Sequence, residues 1–442
     1  MKQISKKLSS SQIIIIGFAA GILIGALLLM LPVSTRGDGG ASFPDAVFTA
    51  TSALCVTGLV VQDTATYWSE FGQAVILILI QIGGMGVVTV AVAIAVASGR
   101  RIGLRQRSIM QDSISAEKVG GIVELTGFII KMTAIFELCG AAILAPAFCR
   151  EFGILRGIWY SVFHSISAFC NAGFDLMGAK EQFSSLTSYV GSPLVNIAIM
   201  ALIIIGGIGF STWDDVRKNK FRIRRYRMQS KVILTVSALL ILLPAAYFFF
   251  FELSGAPTGE RVLVSFFQSV TLRTAGFNTV DFSIISEAGI AMMIAVMLVG
   301  GAPGSTAGGM KTTTLAVMLS TAVSVFSRRE HTHFFGRRIP EETIRSAATI
   351  VTMYITLFIT GGCIISRIEG LPLLTCLFET GSAVATVGLT MGITPTLGAV
   401  SRIILILLMY CGRVGGLTLI FAALSGNRGN TARLPQEKIT IG

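Results

Sequence analysis

Four segments of the sequence each carry a glycine that lies ten residues after a phenylalanine. Glycine reaches backbone angles that are closed to other residues, so an extended turn at such a position can point consecutive carbonyl oxygens in one direction. Rings of backbone carbonyls replace the hydration shell of an ion in selective pores. The four segments therefore predict cation binding by backbone oxygens. The phenylalanine–glycine pairs are Phe48 and Gly58, Phe163 and Gly173, Phe266 and Gly276, and Phe378 and Gly388.

Each of these segments fits a short helix that enters the membrane and leaves on the same side. Ten helical residues cover about 15 Å, half the thickness of the hydrocarbon core. A non-helical turn at that depth is tolerated only where it is buried in protein or lines water, and four helix C-termini aimed at one axis would surround a cation with negative dipole ends. Four outer loops that each happen to contain a glycine are the alternative, which leaves the shared phenylalanine unexplained. The predicted ion-binding residues are Val56, Thr57, Gly58, Asn171, Ala172, Gly173, Thr274, Ala275, Gly276, Thr386, Val387 and Gly388.

Apolar stretches long enough to cross a bilayer separate these segments. The chain is 53% hydrophobic and only 13% charged, with a mean hydropathy of +0.76, which is typical of a membrane protein. The first stretch follows three lysines but is too long for a cleaved leader and is expected to be a retained span. We expect eight spans, at roughly 12–33, 71–97, 121–148, 190–213, 230–252, 287–320, 343–366 and 399–424.

The predicted fold is an all-α integral membrane protein with eight transmembrane helices and four re-entrant pore loops. Each repeat contains a first helix (M1), a pore segment and a second helix (M2), and the four repeats surround one pore with pseudo-four-fold symmetry. We place repeat 1 at 1–110, repeat 2 at 111–225, repeat 3 at 226–338, and repeat 4 with the C-terminal tail at 339–442.

Positive charge is concentrated in alternate connections between the spans. Five tracts hold 24 of the 35 lysines and arginines, and each tract precedes span 1 or follows an even-numbered span. By the positive-inside rule, both termini and these loops are cytoplasmic. The net charge of +12 is then explained by topology in the lipid bilayer, and no nucleic-acid partner is predicted. The tracts are 1–10, 100–118, 217–231, 328–345 and 428–438.

The second helix of repeat 3 is interrupted by a glycine-rich stretch, residues 300–311. It reads GGAPGSTAGGMK, and five glycines with a proline make a continuous helix unfavourable. We predict an unwound segment near mid-membrane that acts as a gate. The stretch also resembles a phosphate-binding P-loop, but Met310 separates the last glycine from Lys311 and no strand is expected before it. The predicted gate residues are Gly300, Gly301, Gly304, Ser305, Thr306, Gly308, Gly309, Lys311 and Arg413.

Charged residues within or beside the spans leave alternatives open. Arg413 lies inside the last span, where it is expected either to hydrogen-bond free carbonyls of 300–311 or to pair with Glu137. Asp63 and Asp281 each lie five residues after a motif glycine. They either concentrate cations at the outer mouth or cap local turns.

No recognisable catalytic or metal site is found. The seven cysteines have no CxxC spacing, and His331 and His333 lie in a basic loop without acidic or cysteine neighbours. His164 is expected to pack within its motif segment, and Arg273 to point away from the ion and brace its helix. Without a GxSxG or HExxH motif, no catalytic residue, cofactor or enzymatic activity is predicted. A sodium-coupled or sodium-transporting secondary transporter is the alternative function, but such proteins usually have inverted repeats, whereas these share one orientation.

Taken together, these motifs resemble the Trk/Ktr/HKT superfamily of potassium transporters. The resemblance rests on the single motif glycines, TLRTAGFN in the third pore segment, QIGGMG at 81–86, FETGSAVATVGLTMG at 378–392 and the broken third M2. It covers nearly the whole chain, and within the superfamily the sequence is most similar to KtrB-type membrane subunits of bacterial Ktr systems. Some plant relatives carry serine at the first filter glycine and favour sodium, so glycine at all four positions implies potassium.

The resemblance implies several further properties. KtrB-like proteins are homodimers in the bacterial inner membrane, with one pore in each protomer. They work with a cytosolic KtrA-type regulatory ring that binds nucleotide, and sodium often stimulates uptake. Carried over by position, the four glycines would form the selectivity filter, 300–311 the gating loop, and Arg413 the arginine below the filter. Nucleotide control would then come from a separate partner, because this chain has no Rossmann-like stretch.

Overall fold

A computed structural model describes residues 9–91, 107, 109, 111, 121–220, 222–255, 257–416 and 418. The basic tracts at 1–10 and 100–118 lie mostly outside the described residues, and the tract at 428–438 lies entirely outside them. The far ends of the predicted spans 71–97 and 399–424 are also outside. The described part is mostly helical, with one short antiparallel hairpin in which His333–Phe334 pairs with Arg337–Arg338.

Fourteen α-helices are labelled in chain order within the described ranges. They are α1 Ser10–Leu29, α2 Phe43–Leu54, α3 Glu70–Met85, α4 Ile122–Phe152, α5 Ile154–Phe169, α6 Pro193–Gly207, α7 Phe210–Asn219, α8 Met228–Tyr247, α9 Thr258–Thr271, α10 Glu287–Met297, α11 Thr312–Phe326, α12 Glu341–Glu369, α13 Leu373–Ala385 and α14 Ala399–Val414.

Four helices of the described part are long and apolar enough to cross a membrane. These are α1, α4, α8 with its π-helical extension Phe248–Glu252, and α12. They coincide with the predicted first helix of each repeat. The count rises to five if α6 and α7, which meet at a bend of 94°, form one span.

The predicted second helices are interrupted in all four repeats, and not only in the third. Helix α3 ends at Gly86, α6 and α7 are separated at Gly209, and α14 ends at Gly415, each glycine with φ between 87° and 89°. A positive φ ends a helix, and glycine adopts it without a steric penalty. A break was predicted from the sequence only in repeat 3, so these three further breaks were missed. Repeat 3 differs only in the length of its break, between α10 and α11.

The four motif segments form the short helices α2, α5, α9 and α13, called the motif helices below. Each long helix packs against the motif helix that follows it: α1 on α2, α4 on α5, α8 on α9, and α12 on α13. The helices after the motifs also reach forward to the next motif helix, with α3 on α5, α6 on α9, α10 on α13, and α14 back on α2. These contacts close into a cycle and bury the motif helices at its centre.

Local sequence explains where these elements begin. Ser42 starts α2, accepting a hydrogen bond at its hydroxyl from the amide of Asp45, and Pro44 follows in the first turn. Ser69 and Ser286 cap α3 and α10 in the same way. Large aromatic side chains then fill the centre, since Phe48, Phe163, Phe267 and Phe378 are all fully buried.

Repeat 3 departs from the aligned pattern by one residue. The motif phenylalanine Phe266 is 37% exposed, and its neighbour Phe267 takes the buried position instead. The cause lies at the other end of the helix. The amide of Ala275 bonds to the carbonyl of Thr271, four residues back, whereas Thr57 bonds to Ser52, five residues back. The residues of the third motif helix are therefore shifted by one position relative to the equivalent residues of the other three.

Candidate functional site

The four motif glycines meet at the centre of the cycle and are called the glycine ring. A β-carbon added to Gly58 would lie 3.2 Å from the Cα atom of Gly173, and one added to Gly173 would lie 2.8 Å from that of Gly276. A β-carbon added to Gly276 would lie 3.3 Å from the Cα atom of Gly388, and one added to Gly388 would lie 2.9 Å from that of Gly58. The ring therefore closes in chain order, and the backbones are too close for any side chain at these positions.

The residue before each glycine turns its carbonyl oxygen toward the neighbouring repeat. A β-carbon on Gly58 would lie 2.5 Å from the carbonyl oxygen of Ala172, and one on Gly276 would lie 2.5 Å from that of Val387. Ala275 has the same relation to Gly173, and Thr57 to Gly388. Four backbone carbonyl oxygens, one from each segment, therefore lie beside the glycine ring.

Backbone conformation in these segments is unusual and repeated. The residue two before each glycine has a left-handed φ: 57° at Val56, 59° at Asn171, 62° at Thr274 and 52° at Thr386. The glycines follow with φ of 96°, 69°, 80° and 93°. A left-handed conformation is rare for a β-branched residue and costs of order 1–3 kcal/mol. Three of the four residues, Val56, Thr274 and Thr386, are β-branched, which indicates that the surrounding structure imposes this backbone.

Hydroxyl groups of the motif helices form hydrogen bonds with the backbone of these turns. The hydroxyl of Ser52 accepts a hydrogen bond from the amide of Gly58 at 3.1 Å, and that of Ser382 accepts one from Gly388 at 3.0 Å. In the other two repeats the hydroxyl acts as donor to the residue after the glycine. Ser167 donates to the carbonyl of Phe174 at 2.7 Å, and Thr271 donates to that of Phe277 at 2.6 Å.

Two further side chains, which the sequence did not single out for this role, fix the chain beyond the ring. Glu379 on α13 is fully buried and accepts hydrogen bonds from the hydroxyls of Thr390 and Thr394 and from the amide of Met391. His164 occupies the matching position on α5, and its Nε2 accepts from the amide of Leu176. Both contacts reach the amide three residues after a ring glycine. Packing alone, the expectation for His164, was therefore an incomplete description.

Acidic side chains surround a cavity of about 330 Å³ on one side of the ring. All four ring glycines line this acidic cavity, together with Asp63, Asp175 and Asp281. Both alternatives for Asp63 and Asp281 have structural support, because each carboxylate lines the cavity and also caps a turn. Asp63 accepts from the amides of Ala65 and Phe183 at 3.0 Å.

The two remaining carboxylates of this cavity differ in their electrostatics. Asp281 accepts from the amide of Ser283 at 2.9 Å, and this bond holds the pKa of the exposed carboxyl below its usual value. Burial raises the pKa of Asp175 to about 7, although the amide of Met177 donates to it at 2.8 Å. Asp175 therefore changes charge near neutral pH.

The glycine-rich stretch 300–311 forms a loop against the other side of the ring. The amide of Gly300 bonds to the carbonyl of Met310 at 2.7 Å, which brings the two ends of the loop together. A β-carbon on Gly300 would lie 3.1 Å from Cγ2 of Thr274, and the hydroxyl of Thr386 lies directly beside Gly308. The loop follows helix α10 rather than a strand, so the structural context of a P-loop is absent.

The bend between α6 and α7 anchors the same loop. The amide of Ala302 donates to the carbonyl of Gly207 at 2.9 Å, and the amide of Phe210 donates to the carbonyl of Gly304 at 2.7 Å. The hydroxyl of Thr306 donates to the carbonyl of Phe169 at 3.0 Å, at the end of motif helix α5. The loop is therefore an ordered structure with defined partners, placed directly against the backbone of the ring.

Two basic side chains, those of Arg413 and Lys311, lie at this loop. The guanidinium of Arg413 donates to the carbonyls of Thr306 and Gly83 at 2.5 Å and to that of Gly84 at 3.3 Å. The ammonium of Lys311 folds back onto the carbonyls of Ala307 and Gly308, at 2.8 and 3.3 Å. Both line a second cavity of about 260 Å³, the loop cavity, together with Gly304, Ser305 and Gly309.

The remaining charged residues have other partners. Glu137, the alternative partner of Arg413, instead accepts a hydrogen bond from Gln81 at 3.2 Å. Arg273 points away from the ring, as predicted, and donates to the hydroxyl of Ser237 on α8 at 3.0 Å.

Comparison with known proteins agrees with this architecture. The chain is 38% identical to the Ktr system potassium uptake protein B of Bacillus subtilis, with 98% of this chain and 96% of that protein covered. It is 37% identical to the potassium/sodium uptake protein NtpJ of Enterococcus hirae, with 100% and 99% covered. The crystal structure of the potassium transporter TrkH from Vibrio parahaemolyticus matches with a TM-score of 0.75 at 18% identity, over 95% of this chain and 86% of that one.

The family assignment rests on nearly the whole length of the chain. The TrkH family, described as cation transport protein, matches residues 11–430. That range contains all four motif helices, the glycine ring, the glycine-rich loop and Arg413. This chain belongs to the TrkH family of cation transport proteins.

Proposed function

We propose that this protein takes up potassium through a channel-like pore whose selectivity filter is the glycine ring. The observation that carries the proposal is the closed cycle of four glycines with a backbone carbonyl between each neighbouring pair. Carbonyl oxygens held at such a constriction can replace the water lost by a dehydrated cation. The name of the Bacillus subtilis relative, a potassium uptake protein, supports this choice of ion, while that of the Enterococcus hirae relative includes both potassium and sodium.

In this proposal the eight predicted spans form four M1–pore–M2 repeats around the ring. The acidic cavity faces outward and gathers cations, because three carboxylates line its wall. The basic loops and both termini face the cytoplasm of a bacterial cell, as the distribution of lysine and arginine predicts. Potassium passes from the acidic cavity through the ring to the loop cavity.

The glycine-rich loop is the proposed gate. It stands against the inner face of the ring, where Thr274 and Thr386 touch Gly300 and Gly308. Arg413 holds the loop by the carbonyl of Thr306 and places a positive charge beside the ion path. Displacing the loop would open the path, because the loop meets the ring by packing of small residues, and its backbone hydrogen bonds to other segments go to the bend between α6 and α7. These contacts can separate without unfolding a helix.

Regulation and assembly follow the family resemblance. We propose a homodimer with a cytosolic, nucleotide-binding partner of the KtrA type, and sodium as a stimulating ion. A sodium-coupled secondary transporter is less well supported, because the four segments converge on one ring with the same orientation.

Complementation of a potassium-uptake-deficient bacterium tests the function. The wild-type chain, produced with a KtrA-type partner, should restore growth at low potassium. Gly276→Ser places a side chain against the backbone of Gly388 and should weaken the preference for potassium over sodium. Gly259→Ser is the matched control, since a β-carbon there meets nothing within 4 Å. Equal potassium preference and rescue by both variants would count against the filter.

A further inference from the structure

A third cavity, of about 480 Å³, lies away from the glycine ring, between the region around α3 and the start of α5. Two arginines line it from different repeats, Arg36 before α2 and Arg156 in the first turn of α5. This arginine cavity is also lined by Tyr160, Trp159, Gln73 and Glu70. None of the roles proposed above uses it.

Some of the hydrogen-bond donors in this cavity have no partner among the described residues. Tyr160 is only 7% exposed and lines the cavity, and its hydroxyl makes no hydrogen bond to any described residue. Arg156 has neither an ion pair nor a hydrogen bond within the described part of the chain. Arg36 uses only Nε, which donates to the carbonyl of Trp68 at 3.2 Å. Because these donors have no partner in the described part of the chain, they remain available to an acceptor bound in the cavity.

The start of α5 adds to the attraction for an anion. Gly153 precedes the helix and supplies no side-chain cap, so the first amides of this 16-residue helix are free to bind an acceptor. The positive end of the helix dipole lies in the same place. The positive charge of Arg156, in that first turn, and the positive end of the helix dipole therefore both attract an anion to the same place.

Exposed apolar side chains adjoin the cavity. Ile154 is 73% exposed, Leu155 87% and Ile158 49%, all on the first turns of α5. Trp159 stands beside them with its indole nitrogen bonded to Gln73 at 2.9 Å. A ligand that combines an anionic group with long apolar chains satisfies both halves of this surface, whereas a free inorganic anion satisfies only one.

We propose that the arginine cavity binds the phosphodiester of a phospholipid headgroup. Arg36, Arg156 and the hydroxyl of Tyr160 bind the phosphate, and the acyl chains follow Ile154, Leu155 and Ile158. Glu70 lies at the exposed rim, where its carboxylate can pair with an ammonium group. An ethanolamine headgroup therefore fits this cavity better than a glycerol headgroup, which offers no ammonium.

Native mass spectrometry of the purified full-length protein in detergent tests this site. Phosphatidylethanolamine is added to the wild type and to the Arg156→Gln, Tyr160→Phe double variant. We expect the double variant to bind the lipid about tenfold more weakly, as the loss of hydrogen bonds to a charged phosphate predicts. Arg367→Gln is the control, because Arg367 is likewise an exposed arginine but lies in the last turn of α12, in repeat 4. It should change binding by less than about twofold.

Each other outcome contradicts a part of the proposal. Equal binding by the wild type and the double variant would overturn the site itself. Full competition by inorganic phosphate at the lipid's own concentration would mean a free-anion site and overturn the lipid assignment. Equal binding of phosphatidylglycerol and phosphatidylethanolamine would remove the role given to Glu70. Both substitutions are small changes at the surface or of one hydroxyl, so folding is expected to be retained, and size-exclusion chromatography verifies it.

Discussion

The guanidinium of Arg413 donates a hydrogen bond to the carbonyl oxygen of Thr306, a residue 107 positions earlier in the chain. The same guanidinium reaches Gly83 at the end of α3. The hydroxyl of Thr306 in turn bonds to Phe169 at the end of α5. Elements of all four repeats are therefore tied together at one point of the glycine-rich loop, directly beside the proposed filter.

Replacing Arg413 should release the loop. Arg413→Gln removes the charge and the fork of donors, and hydrogen bonds to charged groups contribute about 1.5–3 kcal/mol each. We expect potassium flux without the regulatory partner to rise by about tenfold or more. Flux into liposomes measures this effect. Arg402→Gln is the control, because Arg402 makes its ion pair with Asp45, far from the loop cavity. Unchanged or reduced flux in Arg413→Gln would show that Arg413 does not hold a closed gate.

Glu379 should determine how well the turn of repeat 4 is held. Glu379→Ala leaves the hydroxyls of Thr390 and Thr394 and the amide of Met391 without their shared acceptor. We expect loss of most potassium preference, together with a lower thermal unfolding temperature. Glu379→Gln keeps one acceptor oxygen and should retain part of both properties. If the alanine variant selected potassium as the wild type does, the contact would not support the filter.

Ser52 and Ser382 should act alike because both accept from a ring glycine. Removing either hydroxyl leaves one buried amide unpaired, at a cost of about 1–3 kcal/mol. We expect Ser52→Ala and Ser382→Ala to lower the potassium-to-sodium flux ratio. Ser165→Ala is a matched control, since this buried motif-helix serine donates to Glu137 and not to a ring segment. Equal ratios in all three variants would contradict the supporting role.

The acidic cavity should make uptake depend on pH. The pKa of Asp175 is raised to about 7 by burial, so this carboxyl is protonated below that pH and ionised above it. Ionisation adds a negative charge to the cavity that gathers cations. We expect uptake at subsaturating potassium to increase as pH rises through about 7, and Asp175→Asn to abolish that increase. The Asn variant should resemble the wild type at low pH. A rise of the same size in Asp175→Asn would assign the pH dependence to another group.

Much of the central site could be predicted from local sequence. Where the packing tolerates no side chain, the residue must be glycine, and that glycine is visible in the sequence. The four ring glycines were found in this way, as was the broken stretch 300–311. The helix breaks at Gly86, Gly209 and Gly415 were not predicted. A glycine within a span is equally consistent with close packing of two helices and with the end of a helix.

Non-local relationships were harder to predict. Whether Arg413 would contact the loop or Glu137 depends on where the end of α14 lies relative to the loop and to α4, which one-dimensional spacing does not encode. Glu379 and His164 share no chemical type, although both reach the third amide after a ring glycine. The one-residue offset of α9 was hidden because two adjacent phenylalanines, Phe266 and Phe267, stand where the motif needs one.

The ratio of potassium to sodium flux into liposomes, measured for single alanine substitutions of the four ring glycines, tests the central claim most directly. A β-carbon at Gly58, Gly173, Gly276 or Gly388 meets the backbone of the next segment in the ring. The proposed filter predicts that every one of the four variants loses potassium preference, while Gly259→Ala retains it. If any ring variant stayed folded and kept the wild-type ratio, the four segments would not form one shared selectivity filter.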